Sequence, residues 1–98
     1  MLITLLALSL FTTAHANPVC GIVEHYVPPK SEKQPHKVTL GKIELVFWEK
    51  DLDRMEMLPW SLISREVCIE GKIHVNHPFM PSITIRNFDQ IKFVNTQD

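Results

Sequence analysis

The chain has 98 residues, 45% hydrophobic and 21% charged, with ten Lys and Arg against eleven Asp and Glu. A chain this short holds one core, which excludes two independent domains. Its near-neutral balance lacks the basic excess that grips nucleic acid or an anionic membrane, and its apolar content excludes a disordered chain.

Residues Leu2 to Ala16 carry no charged side chain. The densest apolar part, Leu2 to Phe11, has the length of a signal-peptide core and falls short of the ~20 residues that span a bilayer. Ala14-His15-Ala16 supplies small residues at −3 and −1 of a cleavage site, although no Lys or Arg precedes the apolar run. The reading is a signal peptide over residues 1–16 and a single mature domain over residues 17–98, periplasmic or secreted. A buried N-terminal strand or helix is the alternative. A lipid anchor is not expected, because Val19 stands before Cys20 where a small residue is needed.

Cys20 and Cys68 both fall in the mature part. An even cysteine count in a small exported domain predicts a disulfide. Two free thiols or an intermolecular bond are the alternatives.

Val19 to Val27 has strand character and ends at Pro28-Pro29; the polar stretch from Lys30 to Lys37 reads as an exposed loop. In Val38 to Glu49, Val38 and Leu40 share one parity while Ile43, Leu45 and Phe47 share the other. The switch at Gly41-Lys42 predicts a bulge or bend in one long strand that serves two walls of a small barrel. Lys50 to Pro59 breaks the pattern; Asp51 is placed to cap a helical turn through Leu52, Met55 and Leu58, with an irregular loop as the alternative.

Trp60 to Ile63 reads as a short strand and Arg65-Glu66 as a turn. Val67 to Val75 alternates, with Val67, Ile69, Gly71, Ile73 and Val75 on one side, and predicts a half-buried strand. Asn76 to Pro81 is a turn, Ser82 to Arg86 a strand through Ile83 and Ile85, and Ile91, Phe93 and Val94 close the domain. Turn signals between short strands argue for an all-β fold. A small five-stranded barrel of the oligonucleotide/oligosaccharide-binding (OB) shape fits the strand count, with a small sandwich as the alternative.

The order Cys20, Tyr26-Val27-Pro28, Val38-Thr39-Leu40-Gly41, Trp60-Ser61-Leu62, Val67-Cys68-Ile69 resembles a family of small exported bacterial proteins grouped as a domain of unknown function. The resemblance covers most of the mature chain. It implies a β-rich fold and a Cys20–Cys68 disulfide, and no activity. Gly41 follows Leu40 directly instead of one residue later, and the family's Gly-Pro-Pro hairpin is absent from Glu49 to Pro59.

Met55-Glu56-Met57, flanked by Trp48 and Trp60, is the most suggestive cluster. Thioethers are soft ligands for Cu(I) or Ag(I), and the set looks a little like that of small periplasmic copper/silver chaperones, with the order of its residues changed. His74, His77 and Met80 are the further candidate ligands. Packing of both methionines under the loop, and solvation of the turn histidines, are the ordinary readings.

Phe47, Trp48, Trp60 and Phe79 offer aromatic surface for a sugar or a protein. Glu49, Asp51, Asp53 and Glu56 form one acidic connection, read as solvated in preference to an acid/base pair. No nucleophile motif is present, so no enzyme and no cofactor is expected. The expected protein is a monomeric binding or inhibitory module for a protein or small ligand. Trp48, Met55, Met57, Trp60, His77 and Phe79 are its candidate contact residues, on the Glu49–Trp60 connection and the His77–Pro81 turn. The alternative is a metallochaperone using Met55, Met57, His74, His77 and Met80.

Overall fold

The computed structural model describes residues 18–94. The signal peptide expected over residues 1–16 lies outside the described residues.

Strand β1, Val19–Val27, is long and bent. Val23 pairs with Leu40 and Tyr26 with Val38, so three steps along β1 meet two along its partner. Glu24 and His25 thus form a β-bulge, which bends a strand and raises its twist. The His25 backbone N–H donates to Thr39 Oγ1 at 3.1 Å. Across this bend β1 serves two walls, with Val19–Ile22 paired to β4 (Glu66–Ile69) and Val23–Val27 paired to β2 (His36–Leu40).

The long strand predicted over Val38 to Glu49 is instead a hairpin of β2 and β3 (Ile43–Phe47), with Leu40 opposite Ile43 and Gly41-Lys42 as its loop. Gly41 has φ 63°, and glycine in the first of two loop positions is the residue choice of a type II′ turn. A two-residue turn and a bulge shift side-chain parity alike, which is why the apolar pattern did not separate them. The bend belongs to β1.

Helix α1, Glu49–Met55, follows directly. Its N-cap is Trp48, and Asp51 lies in the first turn with Glu49, where carboxylates favour the positive helix end. Glu56 ends the helix in the left-handed region, its N–H donating to the Leu52 carbonyl. Trp60 to Ile63, expected as a short strand, falls instead in a 3₁₀ turn, Pro59–Leu62, that Pro59 opens. Proline suits that first position because its missing N–H has no partner to lose there.

β4 stops at Ile69 rather than Val75. The Glu70 N–H still donates in register to the Gln90 carbonyl at 2.9 Å, but the Gln90 N–H turns to the Asn87 carbonyl and the Glu70 carbonyl accepts from the Gln90 side-chain Nε2, so the pairing with β6 ends at this rung. Ile73 and Val75, expected inside, are exposed. Gly71 makes the departure at φ 150°; a Cβ there would stand 2.8 Å from the buried Ile83 Cγ2. Gly71→Ala is therefore expected to cost about 2 kcal/mol in urea unfolding, and a change within about 0.5 kcal/mol would contradict the close approach.

β5 (Ser82–Thr84) runs parallel to β3, and β6 (Ile91–Phe93) runs antiparallel to β4. A 3₁₀ turn at Phe88–Gln90, closed by an Asn87/Gln90 capping box, precedes β6. The sheet order is β5-β3-β2-β1-β4-β6, six strands where the sequence predicts five. The predicted long strand is two, and the segment Trp60 to Ile63 is not a strand. The sheet curls into a half-barrel around Val23, Val38, Leu40, Leu45, Phe47, Val67, Ile69, Ile83, Ile85 and Ile91, and Leu52 and Leu62 join this core from the helical segments.

Cys20 and Cys68 face each other across β1 and β4 and are bonded. Such a bond suits a non-reducing compartment. Among the described residues no helix is long and apolar enough to cross a membrane.

Candidate functional site

The hairpin and helix bring three polar side chains into line. Tyr26 lies just past the bulge on β1, His36 opens β2, and Glu49 opens α1 two residues after Phe47, the partner of His36 in register. Tyr26 Oη lies 2.6 Å from His36 Nδ1, and His36 Nε2 lies 2.8 Å from Glu49 Oε1. A carboxylate only accepts, so the neutral imidazole carries its proton on Nε2 and offers Nδ1 to the tyrosine hydroxyl. His36 is mostly covered while Glu49 is open to water. Trp60 packs edge-on against Tyr26 with ring centroids 5.3 Å apart. The sequence did not bring these four together: Tyr26 entered as part of the Tyr26-Val27-Pro28 motif, Glu49 as part of the acidic connection and Trp60 as aromatic surface, and nothing in it aligned His36 with them.

Burial of the phenol, and secondarily the Glu49 carboxylate, raise Tyr26 above its ordinary value of 10.0. The folded chain then holds this proton more tightly than the unfolded chain. The resulting stability is complete below pH ~10 and is lost as pH rises through the folded value. Tyr26 is the single tyrosine, so phenolate absorbance reports it alone. Its midpoint is expected above 10 in the folded protein and near ~10 in denaturant. Glu49→Gln should lower the folded midpoint; an unaltered midpoint would show that the carboxylate does not reach the phenol.

Three of the six expected contact residues, Met55, Met57 and Phe79, fall in two separate grooves. Met55 and Met57 line one of about 420 Å³ together with Leu58, Arg65, Phe88 and Phe93. Both methionines also pack against the core. Phe79 and Met80 line another, of about 490 Å³, over Lys37, Glu44 and Val46 on the outer face of β2 and β3. Thus the Glu49–Trp60 connection and the His77–Pro81 turn contribute to different surfaces, and Met80 lies in a different groove from Met55 and Met57.

His74 is exposed and forms an isolated bridge to Ser82; His77, also exposed, precedes a cis proline. Trp48 and Trp60 are exposed, whereas Phe47 is buried on the inner face of β3 and belongs to no aromatic platform.

The acidic connection is likewise dispersed. Glu49 faces His36, while Asp51 is 2% exposed with Oδ1 3.0 Å from the Arg54 guanidinium and Oδ2 unpaired. Asp53 and Glu56 are exposed. Among the described residues no three His, Cys, Asp or Glu side chains come together as a metal site. Comparison with protein-family models, with curated proteins and with solved structures gives no match.

Proposed function

We propose that the chain is an exported, non-enzymatic binding module built on an OB-like barrel, and that its partner is a protein seated on the Phe79 face. The connectivity supports the fold reading: β1 is shared between two walls, and α1 lies between β3 and β4. In OB-folds the face of strands 2 and 3 and the loops after strands 1 and 4 take the ligand. In this chain the equivalent face carries Lys37, Glu44 and Val46, and the loop after β4 lays Asn76, Phe79 and Met80 beside them.

The observation that carries the reading is the exposure of apolar side chains on that loop. Phe79 is 68% exposed and Val75 63%, with Ile73 and Met80 also open. Clustered exposed apolar groups mark interaction surfaces, and aromatic residues and methionine are enriched in protein interfaces. The net charge of −1 gives no support to a nucleic-acid ligand.

A photo-crosslinking residue at position 79, expressed in the native host, is expected to give one discrete protein adduct. The same residue at exposed Asp53 on α1 should give none. Equal labelling at both positions, or none at position 79 with the chain present in normal amount, would count against this surface.

A further inference from the structure

We propose that the groove between the end of α1 and β6 binds a small apolar monocarboxylate, a flexible hydrocarbon chain with one carboxylate head. This site is separate from the Phe79 face and does not rest on it. Its walls come from four elements: Met55 and Met57 at the end of α1, Leu58 before the 3₁₀ turn, Phe88 after β5, and Phe93 on β6. At about 420 Å³ it falls within the ~300–1,000 Å³ of small-molecule sites. Methionine's unbranched, polarisable chain adapts to a flexible apolar ligand. Leu58, Phe88 and Phe93 remain exposed at the groove, so apolar surface is there to be covered.

Arg65 supplies the charge complement. Its guanidinium carbon stands 4.4 Å from the centroid of the Phe93 ring, and Phe93 in turn lies 6.0 Å from Phe88. This cation–π contact engages the charge of the guanidinium and supplies no lone-pair acceptor to its N–H donors. Among the described residues those donors make no ion pair. A planar fork with free donors beside an apolar trough suits a carboxylate attached to a hydrocarbon chain. Glu56 lines the same groove and is exposed. Its negative charge opposes a multiply charged head and favours one carrying a single charge.

The methionines provide the readout. In the full chain labelled at its methionine methyl groups, laurate below its aggregation range should shift Met55 and Met57 saturably. Met80, in the other groove, should stay in place. Arg65→Gln, checked for an unaltered melting curve, should weaken laurate binding about tenfold or more, and uncharged dodecanol should bind the native chain more weakly by a similar factor. Equal affinity for laurate and dodecanol, or full affinity in Arg65→Gln, would reduce the effect to unspecific apolar adsorption and overturn the proposal. Shifts of Met55, Met57 and Met80 together, or of none of these, would do the same.

Discussion

Replacing Cys20 and Cys68 together by alanine is expected to remove about 4 kcal/mol of stability. The bond closes a loop whose ends are 48 residues apart, and the chain-entropy model assigns that value to a loop of this length. Packing contributes little to the loss, because Cys20 is exposed and Cys68 only half-buried. The crosslink sits between the Val19–Ile69 and Gly21–Val67 pairs, and the described ladder of β6 runs through β4. Its removal therefore loosens the β1–β4–β6 half of the sheet while leaving the β2–β3 hairpin intact. Against the 5–15 kcal/mol that stabilises a typical domain, this is a major share. Urea unfolding of the double variant, and of the native chain under reduction, should agree on the value; a loss below about 1 kcal/mol would remove the crosslink from the main terms of stability.

Phe47→Ala is expected to cost about 4 kcal/mol. Phe47 is 0% exposed and sits among the core side chains at the end of β3. Truncation removes its transfer free energy and leaves a cavity that a curled sheet closes only in part. It should also reach the polar cluster, since Phe47 is the register partner of His36 and lies two residues before Glu49. The phenolate midpoint of Tyr26 in the folded variant should accordingly move toward the free value as His36 and Glu49 lose their alignment. Trp48→Ala next to it is the comparison: its side chain is 37% exposed, and a clearly smaller loss than at position 47 is expected from equilibrium unfolding. Equal losses at positions 47 and 48 would contradict the placement of the core.

Much of the strand content was legible because alternation of apolar side chains is a local property. Val19–Val27 appears as a strand over the residues predicted for it, and Ile83 and Ile85, read in alternation, are both buried. Local patterning failed where two backbone events leave the same trace. Gly41-Lys42 is a turn and not a bend, while the real bulge at Glu24-His25 lies in a stretch whose sequence carries no glycine or proline to announce it. The prediction for Val67 to Val75 failed for a non-local reason: its partner strand ends at Gln90, whose N–H turns to Asn87 and whose side chain takes the Glu70 carbonyl. The same limit hid the Tyr26–His36–Glu49 chain, whose members come from three elements.

By itself, the order of residues determined the β-rich character of this protein, the alternating apolar residues that supply much of its interior and the availability of two cysteines for one bond. These follow from side-chain periodicity and composition, which act within a few residues. Folding alone decided which strand carries the bend, that the methionines of the helical segment and the Phe79 turn face separate grooves, and that the Arg65 guanidinium stands over the Phe93 ring. Those outcomes depend on register and backbone hydrogen bonds between distant segments, whose free energy appears only when the whole sheet has assembled.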